Sequence, residues 1–294
     1  MTSCSSCRVT ALGLLPLAIL GGLAGCGGVA NDIGNDIGQA VGEAVACGVR
    51  NCTESSTLNV DEISPRFTAT QAAGDSSVQI SGSLGKSANL LTTVLMAPNE
   101  RLTASVDGAP EVTMANPDGK RYDYTARLPA ASAQPVVQVV FTRAGVRHVS
   151  QVTMPPAFTV LQPTGAAVLT RTGAALPVRL SLATASTASA TAVGSCTRAD
   201  GSSFTTTGTG LGAVGETGVA GGYRLEPAAV DEALSATSRS LNNNDTRTPA
   251  VARCELTVVW SARAEGSTPA TMNQHGSLVG ERSAAHPLSY DARL

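Results

Sequence analysis

The chain has 294 residues, with 20 basic and 22 acidic side chains and a formal net charge of −2. That balance offers no basic field for a nucleic-acid backbone and no acidic excess for a disordered tail, so no nucleic-acid partner is expected. One Trp, four Tyr and four Phe are needed for cores and leave none for a sugar platform, so no small-molecule substrate is expected either. Small and β-branched residues fill the sequence instead and suit thin, half-buried strands.

Met1 to Arg8 carries a single positive charge, and Val9 to Leu23 then runs without any. A charged start, an apolar core and small residues before a cut site make the secretory pattern. As a helix the apolar run reaches about 22 Å, short of the roughly 30 Å hydrocarbon core of a bilayer. Pro16, Gly13, Gly21 and Gly22 weaken it further as a permanent span. The run closes on Leu23-Ala24-Gly25-Cys26, which resembles the lipobox of bacterial lipoproteins. The resemblance implies a signal peptide over residues 1–25, cleavage after Gly25, and Cys26 as the lipid attachment site. It makes the membrane a partner through that anchor. Several acyl chains would hold firmly where a single chain is marginal, at about 0.8 kcal/mol per buried methylene. In that family an Asp after the Cys favours inner-membrane retention; Gly27 stands there and implies the outer membrane of the bacterial envelope.

The chain has seven cysteines. Cys4 and Cys7 leave with the leader, and Cys26 takes lipid. Four remain, and an even number in an exported chain reads as disulfides. Three pairings are open. Proximity in sequence favours Cys47 with Cys52 and Cys196 with Cys254, worth roughly 2 and 4 kcal/mol in a chain-entropy account. The Cys47–Cys52 spacing has no second Cys pair or His nearby, so no metal is expected there.

Residues 26–55 form a linker with a short amphipathic helix over 30–48. Asn31-Asp32-Ile33-Gly34 repeats as Asn35-Asp36-Ile37-Gly38, and Ile33, Ile37, Val41 and Val45 recur at helical spacing. Gly34, Gly38, Gly42 and Ala46 make a second column. Self-association through that column and docking on the next domain both remain open.

From Thr57 the pattern changes to period two. Strands are expected at 57–60, 77–80, 121–125, 135–141 and 146–152, with turns at Ala73-Gly74-Asp75, Asp107-Gly108, Asn116-Pro117-Asp118-Gly119 and Arg143-Ala144-Gly145. This predicts a β-sandwich over 56–154. Pro155-Pro156 reads as a hinge to a second β-sandwich over 157–294. Its expected strands lie at 158–161, 176–182, up to Cys196, 203–209 and 252–260. Gly208 to Gly222 holds seven glycines and is expected to be a mobile loop. Pro227 to Leu234 predicts a short helix with Pro near its first turn, ended by Asn242-Asn243-Asn244-Asp245. The fold class is therefore mainly β, with two antiparallel sandwiches after a cleaved leader and a short helix. Both halves resemble immunoglobulin-like domains of bacterial envelope proteins at the level of fold. The Cys196–Cys254 separation suits a disulfide between sheets, although Trp260 lies after the second Cys and not between the two.

Candidate chemistry fails on spacing. Gly82-Ser83-Leu84-Gly85-Lys86-Ser87 resembles the end of a phosphate loop, but Ile80 stands where that motif needs Gly, and the stretch reads as a turn. No Gly-x-Ser-x-Gly elbow occurs. His148 alternates with apolar residues and is expected on the solvent face, with His275 and His286 in loops. Asp61-Glu62 and Asp231-Glu232 are adjacent in sequence and point apart. The Asn242–Asp245 stretch has oxygens without a terminal acid and reads as a turn, with weak cation binding left open. No catalytic residue, metal ligand or cofactor is expected. The sequence points to a non-enzymatic, lipid-anchored envelope protein with a structural or protein-binding role and no identified protein partner. The alternative is a divergent envelope hydrolase with a site assembled from loops, whose mark would be a buried His near an acid and a Ser.

Overall fold

A computed structural model of the protein describes Cys47 and residues 51–87, 89–119, 121–182 and 187–294. The leader, the Cys26 lipid site and the 30–48 helix, Cys47 apart, lie outside the described residues.

The first half contributes nine strands: β1 (Asn51–Glu54), β2 (Ile63–Ala72), β3 (Ser77–Lys86), β4 (Asn89–Leu95), β5 (Arg101–Val106), β6 (Val112–Thr113), β7 (Tyr124–Pro129), β8 (Val136–Arg143) and β9 (Val146–Thr153). Alternation drives them. In β2 the residues Ile63, Phe67 and Ala69 are buried while Arg66, Thr68 and Thr70 are only partly so. The turns predicted from sequence form with the required backbone. Ala144 (φ 49°) and Gly145 (φ 77°) join the paired residues Arg143 and Val146, the double left-handed turn that matches strand twist. Sheet β6-β5-β8-β9 packs over β1-β4-β3-β2, with β7 beside β3. Phe67, Ile80, Leu84, Leu102, Val139 and Phe141 fill the space between, each stabilising by about 1.5–3 kcal/mol on burial.

The second half adds β10 (Val160–Gln162), β11 (Ala167–Thr170), β12 (Leu176–Leu180), β13 (Ala188–Arg198), β14 (Ser203–Gly210), β15 (Val214–Gly215), β16 (Gly222–Leu225), helix α1 (Pro227–Ser240), β17 (Val251–Glu265) and β18 (Ser277–Asp291). Sheet β10-β12-β16-β15 faces β18-β17-β13-β14, with β11 beside β18. Trp260 is fully buried in this core, its ring 5.1 Å from that of Tyr223. Helix α1 runs longer than its sequence signal because Ser238 continues the buried row of Val230 and Leu234. Asn243 and Asn244 end the turn beyond it at positive φ.

Several expectations need correction. Residues 57–60 form no strand but join two 3-10 turns, Ser55–Thr57 and Val60–Glu62. Gly82 to Lys86 is not a turn but lies inside β3; a Cβ at Gly85 would strike the Arg66 guanidinium, at 2.3 Å, so the glycine there serves close packing. The Gly208–Gly222 loop is not loose. Leu211 is fully buried, and Gly221, at φ +63°, accepts a 2.8 Å hydrogen bond from the Leu180 N–H. A Cβ on Gly221 would meet the Leu180 carbonyl oxygen at 2.1 Å. Cys196 and Cys254 do form a disulfide, but not between sheets. They are register partners on the adjacent strands β13 and β17. Cys47 and Cys52 form the other disulfide.

The hairpin β17–β18 is the main departure from two independent sandwiches. Both strands have 15 residues, long enough to leave the second sandwich and enter the first. There β18 pairs in parallel with β2, from Ser277↔Arg66 to Ser283↔Ala72. The result is one ten-stranded sheet running through both halves of the described chain. Met272 and Leu278, from the hairpin, belong to the first core. Pro155-Pro156 joins the halves in sequence, yet the sheet bypasses it, so it does not act as a free hinge.

Candidate functional site

The joint between the two cores is set by the register of β2 and β18. Parallel partners lie side by side about 4.8 Å apart and face the same way. Leu278 sits beside Phe67, and Gly280 beside Ala69, both pairs facing the first core. The next pair in this row is Arg282 beside Gln71. Two strongly polar side chains thus occupy core-facing positions between the first core and Ala284 of the second. Arg282 is 7% exposed and Gln71 5%.

Neither side chain is satisfied. The Arg282 Nε and Nη2 and the Gln71 Oε1 are buried without a hydrogen-bond partner among the described residues. The Gln71 Nε2 donates to the Asp75 carbonyl at 2.8 Å, which fixes the amide. Burial holds the Arg282 guanidinium below its ordinary range. A buried cation without a counter-charge is costly, and native proteins seldom retain one without a partner. Both residues line a cleft of about 500 Å³ between the sandwiches, walled by the β2–β3 turn, the β7–β8 turn and Phe158 to Thr159. Asp75, which is exposed, and Ser181 also line it.

Other candidates resolve differently. His148 is not on the solvent face: it is 5% exposed, its Nδ1 shares a 2.8 Å hydrogen bond with Thr271 Oγ1, and its ring stacks on Phe141. The hairpin tip covers that face of β9, a contact no local pattern announces. His286 is likewise not in a loop but in β18, 5% exposed, with neither ring nitrogen partnered among the described residues. Burial lowers the pKa of both, with Arg143 adding to the effect at His148. His275 is exposed. Asn242 to Asp245 is the expected turn, closed by the Asp245 N–H on the Asn242 carbonyl. The glycine-rich segment borders a hollow of about 480 Å³ lined mostly by glycine and alanine, with Glu216 and Tyr223. Among the described residues no group of three His, Cys, Asp or Glu is placed to hold a metal.

Near the N-terminal end of the described chain a buried ion pair clamps the segment after Cys52. Glu100 and Arg143 pair; Ser55 Oγ donates to Glu100 at 2.5 Å, and Arg143 donates to the Leu58 carbonyl at 2.9 Å. Strand β1 also pairs in parallel with β4.

No family model matches the chain, and no curated protein matches it. Among solved structures it is similar to a chimeric titin Z1Z2 functionalized with a KLER exogenous peptide from decorin. The identity is 12% and the TM-score 0.22, over 76% of this chain and 94% of that one. It is also similar to tandem Ig repeats of Dlar, at 10% identity and TM-score 0.24, over 79% of this chain and all of that one (100%). At such scores the strand pairing carries the assignment and the likenesses carry none. The class is a mainly β protein of two sandwich-like halves, here joined by a shared sheet.

Proposed function

We propose that the chain is a lipid-anchored protein of the bacterial envelope, held at the outer membrane through Cys26, with a structural or protein-binding role and no catalysis. The observation that supports this most is the continuous sheet. Two sandwiches locked through β2 and β18 form a stiff body suited to holding a surface at a fixed distance from an anchor. The clamp on residues 51–58 suits the same role, because it ties the start of the described chain to the first core. Partner binding would use an exposed sheet edge such as β14, where unpaired backbone groups can take a further strand. Neither buried histidine has a carboxylate partner among the described hydrogen bonds, so no observation favours the hydrolase reading.

The test is Cys26→Ala. The unsubstituted chain should stay with membranes through a detergent-free wash, and the variant should appear in the soluble fraction. Membrane retention of the variant would overturn lipid anchoring. Cross-linking in intact cells then separates binding from spacing, since a passive spacer yields no discrete conjugate.

A further inference from the structure

We propose that strand β14 is the surface through which two copies of this chain join, edge to edge and antiparallel, about a two-fold axis at Thr205. The inference names the partner for the protein-binding reading above and rests on that reading.

The edge is open and undefended. Strand β14 ends the ten-stranded sheet and pairs on one side alone, with β13, among the described residues. Native edges are commonly blunted by charge, proline, shortness or a bulge. The strands at the other sheet ends carry such devices. Strands β1, β6, β10 and β15 have four residues or fewer, and β9 carries Arg147 and is bridged at Gln151 by Ser267. Strand β14 has eight residues, Ser203–Gly210, with no charge and no proline. Its irregularity is confined to Gly208, which the pairing with β13 skips.

Backbone direction follows from the hairpin. The Arg198 N–H donates to the Ser202 carbonyl at 2.8 Å, and bonded and non-bonded pairs alternate along an antiparallel ladder. Phe204 and Thr206 therefore turn their backbone groups to β13, while Ser203, Thr205 and Thr207 turn both N–H and C=O outward. The same three residues are exposed. Beyond Gly208 helix α1 closes in, with Thr237 Oγ1 2.8 Å from Thr209 Oγ1. The free stretch is thus Ser203–Thr207, and its midpoint is Thr205.

A second copy fits this stretch because the stretch complements itself. Antiparallel pairing about Thr205 sets that residue against its own mate and Ser203 against Thr207 in both directions. Every outward N–H and C=O of the stretch then finds a partner, and hydroxyl side chains face hydroxyl side chains, a favourable cross-strand combination. A charged edge would repel itself in this register; this one holds no charge. Asp200 sits in the turn before Ser203, so the two Asp200 carboxylates fall at opposite ends of the paired stretch. Leu241, 59% exposed, rims a hollow of about 360 Å³ with Thr205 and Thr207, and the added strand lies against it.

The experiment is sedimentation of the full chain in detergent over a concentration series, with cysteine cross-linking to fix the register. The wild type should become dimeric as concentration rises. Thr205→Pro takes away an N–H that points out of the sheet, a place where an edge strand tolerates proline. Its melting temperature should hold while the dissociation constant rises about tenfold or more, the effect of two lost hydrogen bonds. Thr205→Cys should give a covalent dimer on mild oxidation, since mates in a bonded pair lie about 5.5 Å apart. Ser203→Cys and Thr207→Cys should each fail to link to themselves, being about 14 Å out of register, yet should link to each other when mixed. The proposal is overturned if the wild type stays monomeric, if a folded Thr205→Pro protein dimerises as well as the wild type, or if the cysteine variants link in any other pattern. A monomer that forms a discrete conjugate with another protein in intact cells overturns self-pairing and leaves the protein-binding reading standing; a monomer with no conjugate overturns both.

Discussion

A histidine buried in a strand is a liability that pH reveals. His286 faces the core of the second sandwich, and His148 is covered by the hairpin tip. Burial favours the neutral ring in both, so their folded pKa values lie below the ordinary 6.5. The unfolded chain takes up protons near pH 6.5 while the folded one resists until lower pH. In that window the unfolded state binds more protons, and stability falls as pH falls. Melting temperature should therefore be flat above about pH 7.5 and decline as the pH drops below about 6.5. His286→Leu should flatten part of that decline and leave stability at neutral pH equal or higher, because no hydrogen bond is lost. A thermal melt series from pH 8 to 5 checks both; an unchanged acid slope in the variant would show that His286 does not carry the effect. The residue scale is also where sequence reading reached least. Arg282, Gln71 and both buried histidines derive their setting from strands or loops far away in the chain, and a polar residue at an inward position reads locally as a solvent-facing one.

At the scale of elements, β3, β7, β8 and β9 were legible because their alternation is clear and turns of the Asp-Gly and Ala-Gly kind flank them, whereas β1, β2, β4, β5 and β6 were not anticipated. Strand β18 was not legible. Arg282 and His286 fall on its inward face, and Pro287 stands in its run, so the apolar period is broken at inward positions. Strand β17 was visible only as far as Trp260, although it continues to Glu265. Its extension ends at Gly266, whose N–H donates to the Leu278 carbonyl at 2.8 Å. A Cβ there would sit 2.4 Å from the Gln151 carbonyl oxygen and 2.7 Å from that of Leu278, both backbone atoms that cannot swing away. Gly266→Ala should lift the hairpin tip from β9 and destabilise by about 1–3 kcal/mol, the usual size of an overpacking strain. Limited proteolysis should then cut within residues 267–276 faster than in the parent protein. Equal cutting rates would mean that the tip is not seated against Gln151.

For the whole molecule the shared sheet predicts one cooperative unit where two sandwiches alone would give two. Separating the halves would strip β18 from β2 and withdraw Met272 and Leu278 from the first core. Calorimetry of the oxidised protein should show a single transition whose calorimetric and van't Hoff enthalpies agree. The isolated 51–154 segment should be markedly less stable than its share of the intact protein, since it exposes the β2 edge and the slot for Leu278. Two resolved transitions, or a fully stable isolated segment, would argue that the β2–β18 pairing contributes little.

The long hairpin sets the order of events during synthesis. Ser64 hydrogen-bonds to Asn273, 209 residues later in the chain, and the strand that closes the β2 edge follows Asn273. The chain must therefore be made past residue 277 before the first sandwich can be sealed, and contacts of such separation form slowly. Until then β2 lies bare, a ready template for the wrong neighbour. A copy cut before β18 would never seal, since only a chain that includes that strand can hide the β2 edge.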